Sequence, residues 1–327
     1  MSKNIVKVSI VIPMRNSSST ILKTLEGIRI QTYPIEKIVI VDNASKDDCV
    51  LKVKEYSKKH KKMKITLLQN KTDLWIAKSF TRGIHATQTP YVILTHSDCE
   101  FVTRHEVMKL VRPLLKDRNI IATCGMTETP LTVWNEYAFW EKAWLCRDAG
   151  KVITSFVGKI ECIQKKALYE VGGHDNVAFK DCGCEDADLN LRLRKLGPIV
   201  ETKAKTIHLH YTYKDFSLKD LLYKKKQVGR GYARLLRVHG FDQIGGIRGL
   251  SFIALKPALA LVPFIPLVNI ISPILLFGFV FLYYKKMFTT KSTLRDPRIL
   301  LLPFVGIFLI YYETAWFIKM YLEPIKK

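Results

Sequence analysis

Acidic side chains follow two separate apolar runs in the first hundred residues. Asp42 comes directly after the run at 38–41, and Asp98 comes shortly after the run at 91–94. Both runs are short and continuously apolar, like buried strands of a parallel sheet. The carboxyl ends of such strands meet at one edge, where loop amides and helix N-termini also converge. The sequence therefore predicts a polar ligand site at that edge, to which two carboxylates far apart in the chain contribute.

A third acidic group, the pair Glu185-Asp186, precedes apolar residues at helical spacing, and a Gly-Pro stop signal follows at 197–198. These acids are predicted to begin a helix. Acidic residues favour a helix N-terminus through the helix dipole alone, which is the structural alternative to a catalytic role. Further along, His208 and His210 alternate in a predicted strand and share one face. Each is either a ligand or a structural side chain.

Strands and helices alternate from the start of the chain. Four predicted strands share the apolar pattern, at residues 7–13, 38–41, 65–68 and 91–94. Helical spacing of apolar residues lies between them at 19–30 and 47–59. This alternation favours an α/β fold with a doubly wound, mostly parallel sheet covered by helices on both faces. The seven cysteines are irregularly spaced and predict reduced thiols rather than a disulfide framework.

Three segments together resemble family 2 glycosyltransferases of the GT-A fold, a Rossmann-like architecture. They are SIVIPMRNSSSTILKTLEGIRIQTYPIEKIVIVDNASKDD, then YVILTHSDCEF, then VGGHDN followed by EDADLNLRLRKLG. Their order and spacing match the family over roughly residues 5–240, although individually only the last segment is specific. The resemblance implies a GT-A catalytic domain over residues 1–240. It also implies an inverting enzyme that uses a UDP- or GDP-sugar as donor.

The resemblance assigns a donor pocket to residues that follow the first strands. Its donor-binding candidates are Pro13, Asn16, Asp42, Ser97 and Arg230. Asp42 takes the position of the acid that contacts the base, where a carboxylate can accept a hydrogen bond from a uracil or guanine N–H. The structural alternative is an Asx-turn cap with Asn43 and Ser45. Arg230, or Lys159, would face the charge of the departing diphosphate.

The second segment takes the place of the family's Asp-x-Asp metal element and departs from it. His96 stands where the first aspartate is usual, so Asp98 is the principal ligand candidate for Mg²⁺ or Mn²⁺. His96 suits Mn²⁺ better than Mg²⁺, or it lines a polar rim. The remaining metal-ligand candidates are Glu100, His208 and His210.

In the third segment, the second acid of the Glu-Asp pair corresponds to the family's general base. The resemblance therefore implies that Asp186 takes the proton of the acceptor hydroxyl, with Glu185 in a supporting role. The histidine at position 96 keeps a second hypothesis open. In that hypothesis the chain is a catalytically inactive scaffold that binds a nucleotide-sugar within a glycan assembly complex.

Beyond residue 250 the chain becomes strongly apolar. The formal net charge of +23 argues for an anionic partner, and both nucleic acid and anionic lipid fit it. Long apolar stretches at 257–284 and 299–318 favour membrane lipid, so no nucleic-acid partner is expected. A basic amphipathic segment at 205–245 suits a membrane surface. Residues 250–327 are predicted to form a membrane domain with two or three spans.

These features together predict a multi-pass protein of the cell membrane with a cytosolic catalytic domain. Basic residues between the two apolar stretches belong on the cytosolic side by the positive-inside rule. An enzyme held at the membrane meets acceptors that are also held there. The predicted acceptor is therefore a polyprenyl-phosphate-linked or other membrane-associated glycan.

Overall fold

The computed structural model describes residues 6–154, 156, 158–210, 216–244 and 246–324, without the side chains of residues 242 and 246–252. Contacts divide the chain into two compact units that alternate along the sequence. The first unit comprises residues 1–130, 150–176 and 186–211, and the second comprises 131–149, 177–185 and 212–327. The predicted functional boundary near residue 240 stays a prediction.

The first unit is built on a mixed sheet of nine strands within the described residues. Strands β1 to β9 are Val8–Met14, Ile35–Asp42, Ile65–Gln69, Tyr91–Thr95, Cys99–Phe101, Ala122–Glu128, Val152–Thr154, Ile160–Gln164 and Ile199–His208. Their order is β3-β2-β1-β4-β8-β6-β9-β5, with β7 paired to β6. Strands β1 to β4 pair in parallel as predicted. Antiparallel β8 joins them to the parallel pair β6 and β9, so the predicted α/β fold is confirmed with a mixed second half.

Helices α1 to α14 follow in chain order as Ile21–Arg29, Cys49–Lys59, Trp75–His85, Glu106–Lys116, Leu131–Asn135, Phe139–Leu145, Lys165–Glu170, Glu185–Arg194, Leu218–Gln243, Gly246–Leu261, Ser272–Tyr283, Lys285–Thr289, Lys291–Leu294 and Leu302–Leu322. Short 3₁₀ turns lie at Lys61–Met63, Val262–Phe264, Asn269–Ile271 and Pro297–Leu300.

Strand β1 is continuously apolar because helices cover the sheet on both faces. Ile10 and Ile12 point into one core together with Leu25 of α1. Val11, which alternates with them, points into the opposite core together with Phe80 of α3. Since full burial of such a side chain contributes about 1.5–3 kcal/mol, both faces of the strand favour apolar residues.

The second unit is helical, and α9 and α14 pack closely within it. A Cβ atom at Gly229 of α9 would lie 2.5 Å from the backbone oxygen of Glu313 in α14, so only glycine fits this contact. Helix α9 is interrupted at Gly240, which has a φ of 72°. The predicted interfacial segment 205–245 differs from the structure at its start, because residues 205–208 end strand β9. Residues 211–215 of that segment lie outside the described residues.

Two parts of the second unit correspond to the predicted membrane stretches. Helix α14 is long and apolar enough to cross a membrane. The other stretch is a broken pair, Ile253–Phe264 and Asn269–Tyr283, bent by 112°. Core helices of soluble proteins satisfy the same length and composition criteria. These helices therefore do not support the predicted multi-pass arrangement.

A buried ion cluster links three helices of the second unit. Lys256 Nζ donates to both carboxylate oxygens of Glu313 at 2.6 Å, and Lys225 Nζ lies 3.9 Å from the same carboxylate. Lys225 Nζ also donates to the hydroxyl of Tyr283 at 3.1 Å. Glu313 and Lys225 are at most 5% exposed, so one buried carboxylate of this cluster offsets two cations.

We expect Glu313→Gln to lower the free energy of unfolding by about 3–5 kcal/mol, because removal of one partner leaves buried charge uncompensated. Denaturant unfolding of the purified protein in detergent measures the change. The control is Glu136→Gln, which changes an exposed carboxylate of the same unit in the same way. Equal stability of the two variants would show that the cluster does not stabilise the unit.

Candidate active site

Three loops meet at the carboxyl edge of adjacent parallel strands. After β1, the backbone N–H of Asn16 donates to Ser45 Oγ beyond β2 at 2.9 Å, and Lys46 N–H donates back to Asn16 Oδ1 at 2.8 Å. Ser17 Oγ lies 2.7 Å from Ser97 Oγ in the loop that follows β4. Asn16 and Ser97 therefore join these loops to one another. Their contacts with the nucleotide-sugar donor stay predictions.

Asp42 ends β2 at this edge, paired with Met14 of β1, while the neighbouring pair is Pro13 and Val41. Asp42 is only 3% exposed. Its Oδ1 accepts from the backbone N–H of Ser45 at 3.2 Å, which is the turn cap expected as the structural alternative. Within the described residues no hydrogen bond reaches its other carboxylate oxygen. Asp42 can therefore cap the turn and still accept from a ligand.

A polar network beside Asp42 includes members that the sequence did not reveal. Asn43 Oδ1 accepts from Asn70 Nδ2 at 3.0 Å and from the backbone N–H of Leu74 at 2.8 Å. Asn43 Nδ2 donates to Asp73, whose carboxylate also pairs with Arg15. The role of Asp73 depends on contacts between loops, which no local motif signals.

Asp98 and His208 are adjacent because β5 and β9 pair in antiparallel register. Cys99 lies opposite His208, and the backbone N–H of Leu209 donates to the Asp98 carbonyl at 2.8 Å. His208 Nε2 lies 3.3 Å from Asp98 Oδ2, with both side chains at most 8% exposed. The ring of His210 stands perpendicular to that of His208, with the centroids 5.4 Å apart.

Electrostatics favour an ionised carboxylate beside a neutral imidazole. Burial opposes ionisation of Asp98, but His208, His96 and His210 outweigh burial and hold the pKa of the carboxyl well below its usual value. Burial and the charge of Lys159 lower the pKa of His208 to about 4, against the attraction of Asp98. At neutral pH an ionised Asp98 therefore faces an uncharged His208.

Gly158 connects His96 with the predicted general base. A Cβ atom added at Gly158 would lie 3.3 Å from His96 Nε2 and 4.0 Å from Asp186 Cβ. The residue has a φ of +75°, which a side chain would also strain. Gly158 thus keeps open the space between His96 and Asp186. Sequence reasoning missed it, and its signal was an isolated glycine just before a strand.

Lys159 acts electrostatically on both Asp186 and His208. Its carbonyl accepts from Thr95 Oγ1 at 2.7 Å, which fixes the start of β8 beside the end of β4. Burial raises the pKa of the Asp186 carboxyl, and the Ala187 N–H at 2.8 Å and the charge of Lys159 oppose that rise. Because Lys159 acts on both Asp186 and His208, the general-base candidate and the Asp98 pair share one electrostatic environment.

The predicted metal ligands do not form a complete cage. Within the described residues, no three or more His, Cys, Asp or Glu side chains are grouped so as to hold a metal ion. Glu100 pairs with Ile207 in the β5–β9 ladder. An Asp98–His208 pair nevertheless fits a divalent cation that takes its remaining ligands from substrate phosphates and water, the usual arrangement for Mg²⁺. The imidazole also permits Mn²⁺.

Arg230 and Glu185 belong to the second unit. Arg230 Nη1 donates to the Asp181 carbonyl at 2.9 Å, in the loop that leads to Glu185. A Cβ atom at the neighbouring Gly231 would lie 2.4 Å from the Gly183 oxygen, so α9 packs tightly on this loop. Arg230 therefore holds the segment that precedes α8. Its contact with a diphosphate stays a prediction, as does the supporting role of Glu185.

Comparisons with known proteins agree with this architecture. Residues 9–157 match the profile described as Glycosyl transferase family 2. The amylovoran biosynthesis glycosyltransferase AmsB of Erwinia amylovora is 33% identical over 93 residues, which are 28% of this chain and 31% of AmsB. The chain thus matches less than a third of that relative's length.

Solved structures share the fold at low sequence identity. The mannosyltransferase PcManGT of Pyrobaculum calidifontis, in complex with GDP-Man and Mn²⁺, has a TM-score of 0.58 and 15% identity over 97% of this chain and 87% of its own. S. aureus TarS 1-349 with UDP-GlcNAc has a TM-score of 0.52 and 13% identity over 96% and 89%. The profile match covers the part of the chain that carries the first strand-edge motifs, and the solved structures share its GT-A fold.

Proposed function

We propose that this chain is an inverting glycosyltransferase that moves a sugar from a nucleoside-diphosphate sugar to a membrane-held glycan or polyprenyl-phosphate acceptor. One observation carries the proposal. The buried Asp98–His208 pair and the half-buried Asp186 lie at the carboxyl edge of one sheet, linked by Gly158 and Lys159. A metal-diphosphate pocket and a general base for the acceptor need this proximity.

In the proposed reaction, Asp186 accepts the proton of the acceptor hydroxyl as its oxygen bonds to the anomeric carbon. The bond from that carbon to the diphosphate breaks on the opposite face, and the nucleoside diphosphate leaves with the electron pair. Asp98, with His208, would hold a Mg²⁺ or Mn²⁺ ion that neutralises charge on the leaving diphosphate. Lys159 adds positive charge at the same edge. Single displacement inverts the anomeric centre.

The relatives support the choice of substrates at the level of class. GDP-Man and Mn²⁺ are bound in PcManGT, and UDP-GlcNAc is bound in TarS. AmsB is a glycosyltransferase of amylovoran biosynthesis. A nucleoside-diphosphate sugar is therefore the proposed donor, and a growing polysaccharide or its lipid carrier is the proposed acceptor. The carboxylate of Asp42 would accept a hydrogen bond from a base N–H, which both uracil and guanine have.

The test is a screen of radiolabelled UDP- and GDP-sugars with membranes that contain the chain, in the presence of Mn²⁺ or Mg²⁺. We expect one nucleotide class to support transfer into lipid-extractable or polymeric material, and chelation by EDTA to abolish it. Purified protein should also hydrolyse that donor slowly. Donor binding without hydrolysis or transfer would favour the inactive scaffold instead.

A further inference from the structure

The second unit has an exposed apolar surface whose contact with water is unfavourable. Large apolar side chains are strongly exposed at the bend between α10 and α11, where Phe264, Leu267, Ile270 and Ile274 are 73–85% exposed. A stripe along one side of α14 adds to this surface, formed by Leu301 just before the helix and by Phe304, Phe308, Ile318 and Leu322 within it. Apolar patches of this extent mark membrane or protein contacts. We infer that this surface enters one leaflet of a bilayer and that the unit does not cross the membrane.

Helix α10, which leads into the bend, is fixed by the ion pair of Lys256. Lys256 is bound to Glu313, whose carboxylate also faces Lys225 of α9. Helix α9 carries seven lysines and arginines within 219–237 and cannot lie in hydrocarbon. Lys256 is therefore held at the level of the membrane surface. Eleven residues separate it from Leu267: α10 continues to Leu261, a 3₁₀ turn follows at Val262–Phe264, and the last three residues are not helical. At about 1.5, 2.0 and 3.3 Å per residue these pieces reach about 24 Å, which is less than a bilayer core of about 30 Å.

The far end of the bent pair returns to the ion cluster of the second unit. Cys146 Sγ donates to the Tyr283 carbonyl at 3.6 Å, and Lys286 Nζ donates to the Ala149 carbonyl. Lys225 Nζ also donates to the Tyr283 hydroxyl at 3.1 Å, and Lys256 Nζ lies 5.2 Å from the centroid of the Tyr283 ring, so the bent pair ends at the ion cluster where it began. Both ends of the bent pair are thus on one side, and the pair is re-entrant.

Helix α14 is held at both ends in the same way. At its start, the Arg298 guanidinium lies 5.0 Å from the ring centroid of Phe139, within residues 131–149 of the second unit. At its end, Arg237 of α9 donates to the Tyr321 carbonyl at 2.8 Å. A helix with both ends on one side cannot span the bilayer. It lies along the surface, and its exposed apolar stripe points to the lipid.

The basic residues next to this apolar surface favour lipid over a protein partner. The segment between α11 and α14 is strongly basic and borders both apolar parts, with Lys285, Lys286, Lys291, Arg295 and Arg298. Basic residues near an anionic leaflet are attracted to it, which complements shallow insertion of the apolar tip. The inference does not depend on the proposed transfer reaction.

Topology can be measured with cysteine reporters in sealed membrane vesicles of both orientations. A membrane-impermeant maleimide should label Lys291→Cys only from the side that labels Glu170→Cys, an exposed position of the catalytic unit. Leu267→Cys should react from neither side until detergent is added. The unsubstituted chain gives the background from its native thiols. Labelling of Lys291→Cys or Leu267→Cys from the opposite side would overturn the inference.

Lipid contact at the tip can be measured with purified protein and phosphatidylcholine vesicles that contain phosphatidylglycerol. Leu267→Glu and Ile270→Glu should each weaken vesicle binding at least about tenfold, because a carboxylate in the apolar leaflet costs more than about 1.4 kcal/mol. Leu51→Glu, at an exposed apolar position of α2, is the matched control and should bind as the unsubstituted chain does. Circular dichroism checks folding. Unchanged vesicle binding by both tip variants would contradict lipid insertion.

Discussion

Asp186→Asn is expected to lower the transfer rate by about 10²–10⁴-fold, the usual contribution of a positioned general base. The amide keeps the size of the side chain and can still accept from the Ala187 N–H, as the carboxylate does at 2.8 Å. It cannot take a proton from an acceptor hydroxyl. Donor binding should therefore be retained while kcat falls, which steady-state kinetics and a donor-binding titration measure separately.

The pH profile gives this prediction a second readout. Burial raises the pKa of Asp186, so transfer should decline on the acid side at a pH above that of an ordinary aspartate. A raised pKa means that Asp186 becomes protonated at a higher pH, and a general base is inactive once it is protonated. Glu170→Gln, a change at an exposed carboxylate of the same unit, should leave both rate and profile unchanged. Full activity of Asp186→Asn would remove this residue from the mechanism.

The first half of the sheet could be predicted from sequence because its strands are buried on both faces. Strands β1 to β4 appear as uninterrupted apolar runs, and the observed bounds differ from the predicted ones by few residues. The polar residues after these strands were predicted to share one edge, and hydrogen bonds among Asn16, Ser45, Ser17 and Ser97 join their loops there. Parallel neighbours make this edge a consequence of topology.

The second half of the sheet was not predictable in the same way. The pairing of β5 with β9 joins residues about a hundred positions apart, and only that register brings His208 to Asp98. Local patterns place His208 and His210 on a strand but do not identify its neighbour. The role of Gly158 likewise depends on its proximity to His96 and Asp186, which are remote in sequence.

Asp98→Asn is expected to weaken Mn²⁺-dependent donor binding by at least about a hundredfold, because it removes the only carboxylate of the proposed Asp98–His208 pair. The carboxamide is nearly isosteric, and its oxygen can still accept a hydrogen bond from His208, whose Nε2 lies 3.3 Å from the native carboxylate. The fold should therefore survive. His208→Gln should have a smaller effect, about 10–100-fold in metal affinity, if the imidazole mainly orients the carboxylate.

Titration of nucleoside diphosphate with and without Mn²⁺ separates loss of the metal from loss of the donor pocket. In Asp98→Asn, added Mn²⁺ should no longer tighten binding, whereas the metal-independent part, to which Asp42 contributes, should persist. Asp117→Asn is the matched control, because it changes an exposed aspartate of the same unit. Transfer by Asp98→Asn that EDTA still abolishes would place the metal elsewhere. If the metal does not bind at Asp98, the segment from His96 to Asp98 is not a variant of the acidic metal motif. Lys159 and its neighbours would then neutralise the charge of the diphosphate.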